Sequence, residues 1–316
     1  MEPFEEESSV ANHQTELGKK LFGLAWSGTA LILVLTYWQT PFFFNLFSSF
    51  RVQILVALSV LSLPCLFLFS GRTRFLFLAL PSIVAMTFAS YFLAPNAFEH
   101  KSKSTLRIAV ANVYSGNSDL SRLKTWLEEN PVDILGVLEM APHHREQFES
   151  LELKHVLLEP REGNFGLAYL SREKPLNIQV LDRESPFPSI LAEYESYEIV
   201  LTHPVPPLNR EARAIGDAQI MRLAEKLKAS KKPTVFMGDF NATGWDDRVY
   251  PLKEMGLRDS RKGYGLIPTW PVGNPIFQIP IDHIFLPQTW SVTKCSRGPD
   301  LGSDHYPLSI EIAKPE

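Results

Sequence analysis

Three apolar runs, 21–38, 52–70 and 75–94, stand near the start of the chain, with no Lys, Arg, Asp or Glu inside any of them. Each is close to the roughly 20 residues that a helix needs to cross a bilayer. Three such runs in succession leave no polar face for water, which argues against core helices of a soluble domain. A cleaved leader fits poorly, because the first run lacks a small-residue cleavage pattern and two more runs follow. The pattern predicts an N-terminal tail over 1–20 and a three-span transmembrane anchor over 21–94. Pro64 and Pro81 fall inside the second and third spans, where neighbouring helices can satisfy freed backbone groups.

Beyond a short polar linker over 95–105, the pattern changes. Brief apolar runs alternate with amphipathic stretches, as in an α/β domain over 106–316. Strands are expected at 106–113, 132–140, 166–170, 198–204, 233–241, 281–287 and 308–312, from β-branched content and short apolar length. One helix is expected within 118–130, with Leu120, Leu123 and Leu127 at helical spacing. A second, over 213–230, is expected to bury Ile215, Ile220, Leu223 and Leu227.

Charge refines this picture in two ways. Lys19 and Lys20 precede the first span, and Arg72 with Arg74 fill the turn after the second. Arg51, Lys101 and Lys103 lie on the other side. Lys and Arg near span ends set orientation, so the N-terminus is expected inside and, after three crossings, the C-terminal domain outside the cytoplasm. That domain carries 24 Lys and Arg against 29 Asp and Glu from residue 106 onward, a net of −5. It lacks the basic balance of a domain that grips nucleic acid through many phosphates. Cys65 lies in a span and Cys295 in the domain, so no internal disulfide is expected, and no Cys/His cluster suggests zinc.

Strand after strand delivers a polar group at its end: Asn112, Glu139, His203, then Asp239 with Asn241. Asp282 begins a strand, and Asp304 with His305 precede the last one. Each alone reads as an ordinary turn or cap residue. Together, in a domain of packed sheets, they would collect along one rim. Carboxylates held that close repel one another unless a cation shares them. Mg²⁺ suits oxygen ligands of this kind, with Mn²⁺ as the second choice. The set makes sense as a metal-assisted hydrolase, in which an ion polarises a phosphoryl oxygen and activates water.

The motifs ANVYSGN (111–117), LGVLEM (135–140), LTHPVPP (201–207), GDFNAT (238–243), IDHIF (281–285) and GSDHYPL (302–308), in this order, resemble those of the endonuclease/exonuclease/phosphatase superfamily. That group includes apurinic endonucleases, deoxyribonuclease-like enzymes, sphingomyelinases and inositol polyphosphate phosphatases. A multi-span anchor before such a domain resembles a bacterial membrane-bound branch. The resemblance implies a four-layer α/β sandwich with two central mixed sheets. By motif, Glu139 would be the main metal ligand, with Asn112 and Asp304 near the metal. Asp239 would orient and deprotonate the attacking water, and Asn241 would hydrogen-bond the phosphate or that water. His305 would donate to a phosphate oxygen, Asp282 would fix and polarise His305, and His203 would be a second imidazole at the phosphate.

The match departs from the apurinic endonucleases in lacking their active-site tyrosine motif, although Tyr194 and Tyr197 lie near the expected place. Three readings compete. One is a phosphodiesterase or phosphatase acting on a lipid head group or small phosphoester. The others are a membrane-tethered nuclease acting on DNA or RNA, and a catalytically silent binding module. The Gly- and Pro-rich segment 263–280 leads into Asp282, and Trp270 and Phe277 could make it an apolar rim suited to lipid. It could equally be a packed structural loop.

Overall fold

Continuous helices follow from the first two apolar runs. In the computed structural model, which describes residues 2–38, 42–93 and 105–313, the chain forms two units, Met1–Ala89 and Ser90–Glu316. The first helix is Glu2–Leu35, so the helix begins within the expected tail rather than at residue 21. Another helix is Arg51–Leu68. Two stretches, His13–Leu35 and Arg51–Leu68, are long and apolar enough to cross a membrane.

The third run differs from expectation. It divides into a 3₁₀ turn at Gly71–Phe75, a helix of 12 residues at Leu76–Thr87, and a four-residue helix at Ala89–Phe92. Twelve residues rise only about 18 Å, short of the roughly 30 Å hydrocarbon core. Two stretches thus qualify as candidate spans, and the third expected span is an interrupted apolar segment that does not by itself show a crossing. Arg51, counted above as a loop charge, is instead buried and donates through Nη2 to the Thr36 carbonyl, 2.6 Å away. It thereby satisfies an open backbone group beyond the first helix. The expected linker lies outside the described residues except for Thr105.

The second unit holds strands β1 (Thr105–Asn112), β2 (Ile134–Leu138), β3 (His155–Glu159), β4 (Leu167–Ser171), β5 (Asn177–Leu181), β6 (Ser189–Glu193), β7 (Glu198–Thr202), β8 (Thr234–Asp239), β9 (Leu257–Asp259), β10 (Asp282–Pro287), β11 (Val292–Arg297) and β12 (Leu308–Ala313). They form two six-stranded sheets, in the orders β11-β12-β1-β2-β4-β3 and β5-β6-β7-β8-β10-β9. Both are mixed. Each contains one parallel pair, β1 with β2 and β7 with β8, among antiparallel neighbours.

Side-chain alternation sorts the residues into layers. Ile108, Val110, Ile134 and Leu138 from one sheet meet Ile199, Leu201, Val235 and Met237 from the other in one core. The opposite face of the first sheet, with Ala109, Leu135 and Val137, packs on Leu123 and Trp126 of the helix Ser121–Glu129. The opposite face of the second, with Val200, Phe236 and Phe285, packs on Ile220, Leu223, Ala224 and Leu227 of the helix Arg210–Lys228. This is the expected sandwich of two central sheets flanked by helices.

The second helix starts at Arg210, because Asn209 accepts a hydrogen bond from the Ala212 amide at 2.8 Å. Such a cap contributes about 1 kcal/mol. Its buried face runs Gly216, Gln219, Ile220, Leu223, Ala224, Leu227. Ile215 falls one position off that stripe and is 39% exposed, contrary to expectation.

Candidate active site

In a parallel pair both strands end on the same side, so the two pairs share out four strand ends. Asn112 closes β1 opposite Leu138 of β2, and Glu139 follows immediately. His203 follows β7, and Asp239 closes β8. Antiparallel pairing then sets Asp282, the first residue of β10, directly across from Asp239. Gly238 lets β8 approach β7: its φ is +152°, and a Cβ there would lie 1.8 Å from the Thr202 carbonyl oxygen.

Asp239 is the hub. Its Oδ2 accepts from Asn112 Nδ2 at 3.4 Å and faces His203 Nε2 at 3.5 Å and His305 Nε2 at 3.6 Å. Its Oδ1 accepts from the Asn241 amide at 2.8 Å. All of these groups except Asn241 are buried. Burial opposes the Asp239 charge, but the two imidazoles overcome it and hold the carboxyl below the usual carboxylate range. Burial likewise opposes charge on His305, yet the carboxylates of Asp282 and Asp239 lift it to about 10. Asp282 Oδ2 lies 2.9 Å from His305 Nδ1, which fixes the ring and turns Nε2 toward Asp239. His203 is raised too: burial works against it, and the contact with Asp239 prevails. Its Nδ1 donates to the Asn164 carbonyl at 3.0 Å, so Nε2 again faces the carboxylate.

Glu139 occupies a left-handed backbone conformation, φ +61°, which is uncommon outside Gly and Asn and costs roughly 1–3 kcal/mol. Two donors hold its carboxylate: Asn112 Nδ2 at 3.0 Å to Oε1, and the Ser115 amide at 3.2 Å to Oε2. Asn241 is also left-handed, φ +48°, and its Nδ2 donates to the Pro204 carbonyl at 3.0 Å. That bond ties the Asp239 turn to the loop carrying His203.

A divalent cation fits this donor set. Carboxylates are hard ligands suited to Mg²⁺, and Asp282 Oδ1 is buried with no hydrogen-bond partner. Ligand atoms of Asp239, Asp282 and His305 lie within 4.8 Å of one another. Of the residues assigned to metal from sequence, Asn112 and Glu139 touch directly. Asp304 does not join them: it is exposed, and its Oδ2 accepts from Trp270 Nε1 at 3.0 Å.

Several contributors carried no sequence signal of their own. Asn164, in a loop between β3 and β4, receives Nδ1 of His203 on its backbone and the Ser115 hydroxyl on its side chain, at 2.7 Å. Behind Asp282, Arg261 pairs with Asp259 at 3.1 Å and donates to the Asp282 carbonyl, all buried. The only hint was polar density in the RDSR stretch, 258–261. Tyr194 and Tyr197 are buried between the sheets, Tyr194 hydroxyl to Tyr169 hydroxyl at 2.8 Å.

The profile described as the Endonuclease/Exonuclease/phosphatase family matches residues 109–305. The search of curated protein sequences returns no match. Among solved structures, the AP endonuclease from Archaeoglobus fulgidus is 19% identical with a TM-score of 0.56, covering 65% of this chain and 98% of that one. The 3'-5' exonuclease NExo from Neisseria meningitidis is 18% identical with a TM-score of 0.54, covering 66% and 100%. D. rerio TDP2 complexed with single strand DNA product is 17% identical, TM-score 0.54, covering 67% and 100%. At these identities the likeness speaks for the fold.

Proposed function

From the premise that this chain belongs to the endonuclease/exonuclease/phosphatase family of metal-dependent phosphoester hydrolases, we propose a membrane-anchored phosphodiesterase or phosphatase acting on a lipid-borne or small phosphoester. The observation that carries the chemistry is one carboxylate, Asp239, set between two imidazoles on a rim with Glu139. In this reading Asp239 orients a water and accepts its proton, with Asn241 shaping the turn beside the phosphate. His305, charged at neutral pH and braced by Asp282, donates to a phosphate oxygen as negative charge builds there. His203 serves as the second donor. Glu139, oriented by Asn112, would hold the Mg²⁺ or Mn²⁺, and Asp304 lies exposed beside Trp270. The ion would supply polarisation of the phosphoryl oxygen.

Three observations support the substrate choice over nucleic acid: the net acidic domain, two candidate spans in the same chain, and the segment 263–280. In that segment Ile276 is 71% and Phe277 55% exposed, while Trp270 is half-buried against Asp304 and 6.3 Å from the His305 ring. Nucleic-acid affinity is dominated by basic contacts to phosphates, and these residues offer none. Comparison of kcat/KM on phospholipid vesicles, small phosphodiesters, duplex DNA and an abasic duplex tests the choice. Vesicles or small esters are expected to lead. A clear preference for either DNA at physiological salt replaces this reading with the tethered nuclease.

With the N-terminus inside, an outward-facing domain needs a third crossing completed before Ser90, where the second unit begins, beyond the two stretches long and apolar enough to span. A reporter fused after His100 reads the side directly. Activity outside the cytoplasm is expected from the Lys19, Lys20, Arg72 and Arg74 bias, and activity confined to the cytoplasm reverses the assignment.

A further inference from the structure

Ser90 and Tyr91, which the sequence places in the third apolar run, belong to the second unit. Tyr91 is 3% exposed. Its ring meets Trp245 edge-on at 6.1 Å, and Lys262 Nζ sits 3.9 Å from the ring centroid. The same ammonium donates to Ser90 Oγ at 2.5 Å. Two backbone bonds add to this, Gly263 N to Ser90 O at 3.1 Å and Gly265 N to Tyr91 O at 2.6 Å. A loose tether requires none of these contacts.

The seat of the Tyr91 hydroxyl is informative. A Cβ on Gly244 would lie 2.4 Å from Tyr91 Oη and 2.8 Å from Asp259 Oδ2. The phenol therefore reaches the base of the turn that begins with Asp239 and Asn241, beside the buried Asp259. From Asp259 the contacts run in two directions. His283 Nδ1 lies 2.9 Å from Asp259 Oδ2, and His283 Nε2 donates to the Ala242 carbonyl at 2.9 Å. Arg261 binds Asp259 and donates to the carbonyl of Asp282, whose side chain holds His305.

We propose that Tyr91, clamped by Lys262, Trp245 and the Gly244 notch, is a positioning residue that sets the Asp239–Asn241 turn and the Asp282–His305 pair through the Asp259, Arg261 and His283 network. Catalysis thereby depends on a segment that precedes the first strand of the sandwich. The inference rests on the hydrolase reading above. A small displacement of catalytic groups can cost up to about a hundredfold in rate, and loss of one indirect support is expected to cost less.

The test uses the full-length chain in detergent, with Mg²⁺ and a small chromogenic phosphodiester. Tyr91→Ala is expected to lower the thermal midpoint of the catalytic unit, because it opens a buried cavity, and also to lower kcat per folded molecule about tenfold with KM within about twofold. Tyr91→Phe, which keeps the ring in the clamp but gives up the hydroxyl beside Gly244 and Asp259, is expected to restore the midpoint and only part of kcat. Wild-type kcat in Tyr91→Ala overturns the proposal, as does a lowered midpoint with unchanged kcat per folded molecule. Should Tyr91→Ala fail to fold, Lys262→Met decides: a kcat loss of about threefold at constant KM supports the clasp, and an unchanged kcat refutes it. A wild-type chain inactive on this ester counts against the small-phosphodiester reading, whereas an active one with indifferent variants refutes only the clasp.

Discussion

Asp239→Asn is expected to lower kcat at least about a hundredfold, the scale of lost general acid–base help, while the domain stays folded. The substitution keeps the shape of the side chain, and its remaining oxygen can still accept from the Asn241 amide. What disappears is the negative charge that faces His203 Nε2 and His305 Nε2. The water then loses its acceptor. His305 loses one of the two carboxylates that lift it, so its donor form is populated over a narrower pH range. Steady-state turnover of a small phosphodiester, with a thermal midpoint as folding control, checks the result. Near-normal turnover sinks the assignment of Asp239 as base.

The second large effect concerns Glu139. Its carboxylate is held by Asn112 and the Ser115 amide on a left-handed residue, an arrangement that aims both oxygens before any ion arrives. Disturbing the partners of a metal ligand typically costs about 10- to 100-fold in affinity, and altering the ligand itself is expected to cost at least about a hundredfold. Glu139→Gln should therefore bind Mn²⁺ at least about a hundredfold more weakly in calorimetric titration, and excess chelator should abolish wild-type hydrolysis. Unchanged Mn²⁺ affinity in Glu139→Gln would move the ion to the Asp239, Asp282 and His305 group, whose ligand atoms also converge.

Much of the sandwich was legible because central strands bury both faces. The mainly apolar runs that lead to Asn112, Glu139, His203 and Asp239 each form a strand of a parallel pair. Strands β3, β5 and β11 carry no legible period, since exposed positions interrupt their apolar pattern. β9 is only three residues long, too brief to show a period, and β6 is a five-residue strand buried almost throughout, without alternation to mark it. The third apolar run read as one span because hydropathy does not register where a helix breaks. Only the structure divides it near Phe88 and seats Tyr91 in the second unit.

The candidate site divides along the same line. Sequence alone determined which polar groups stand at strand ends, because strand length and turn chemistry are local properties. It determined the family resemblance for the same reason, since the motifs are short and contiguous. Who touches whom was decided by the pairing of β8 with β10 and by the stacking of the two sheets. These bring Asp239 to Asp282 across 43 residues of chain and Asn112 to Asp239 across 127. No local pattern records such distances. Asp304 shows the converse: its neighbour His305 enters the buried rim, while Asp304 itself turns outward to Trp270, because the two sit in a bend before the last strand whose side-chain directions no sequence period records.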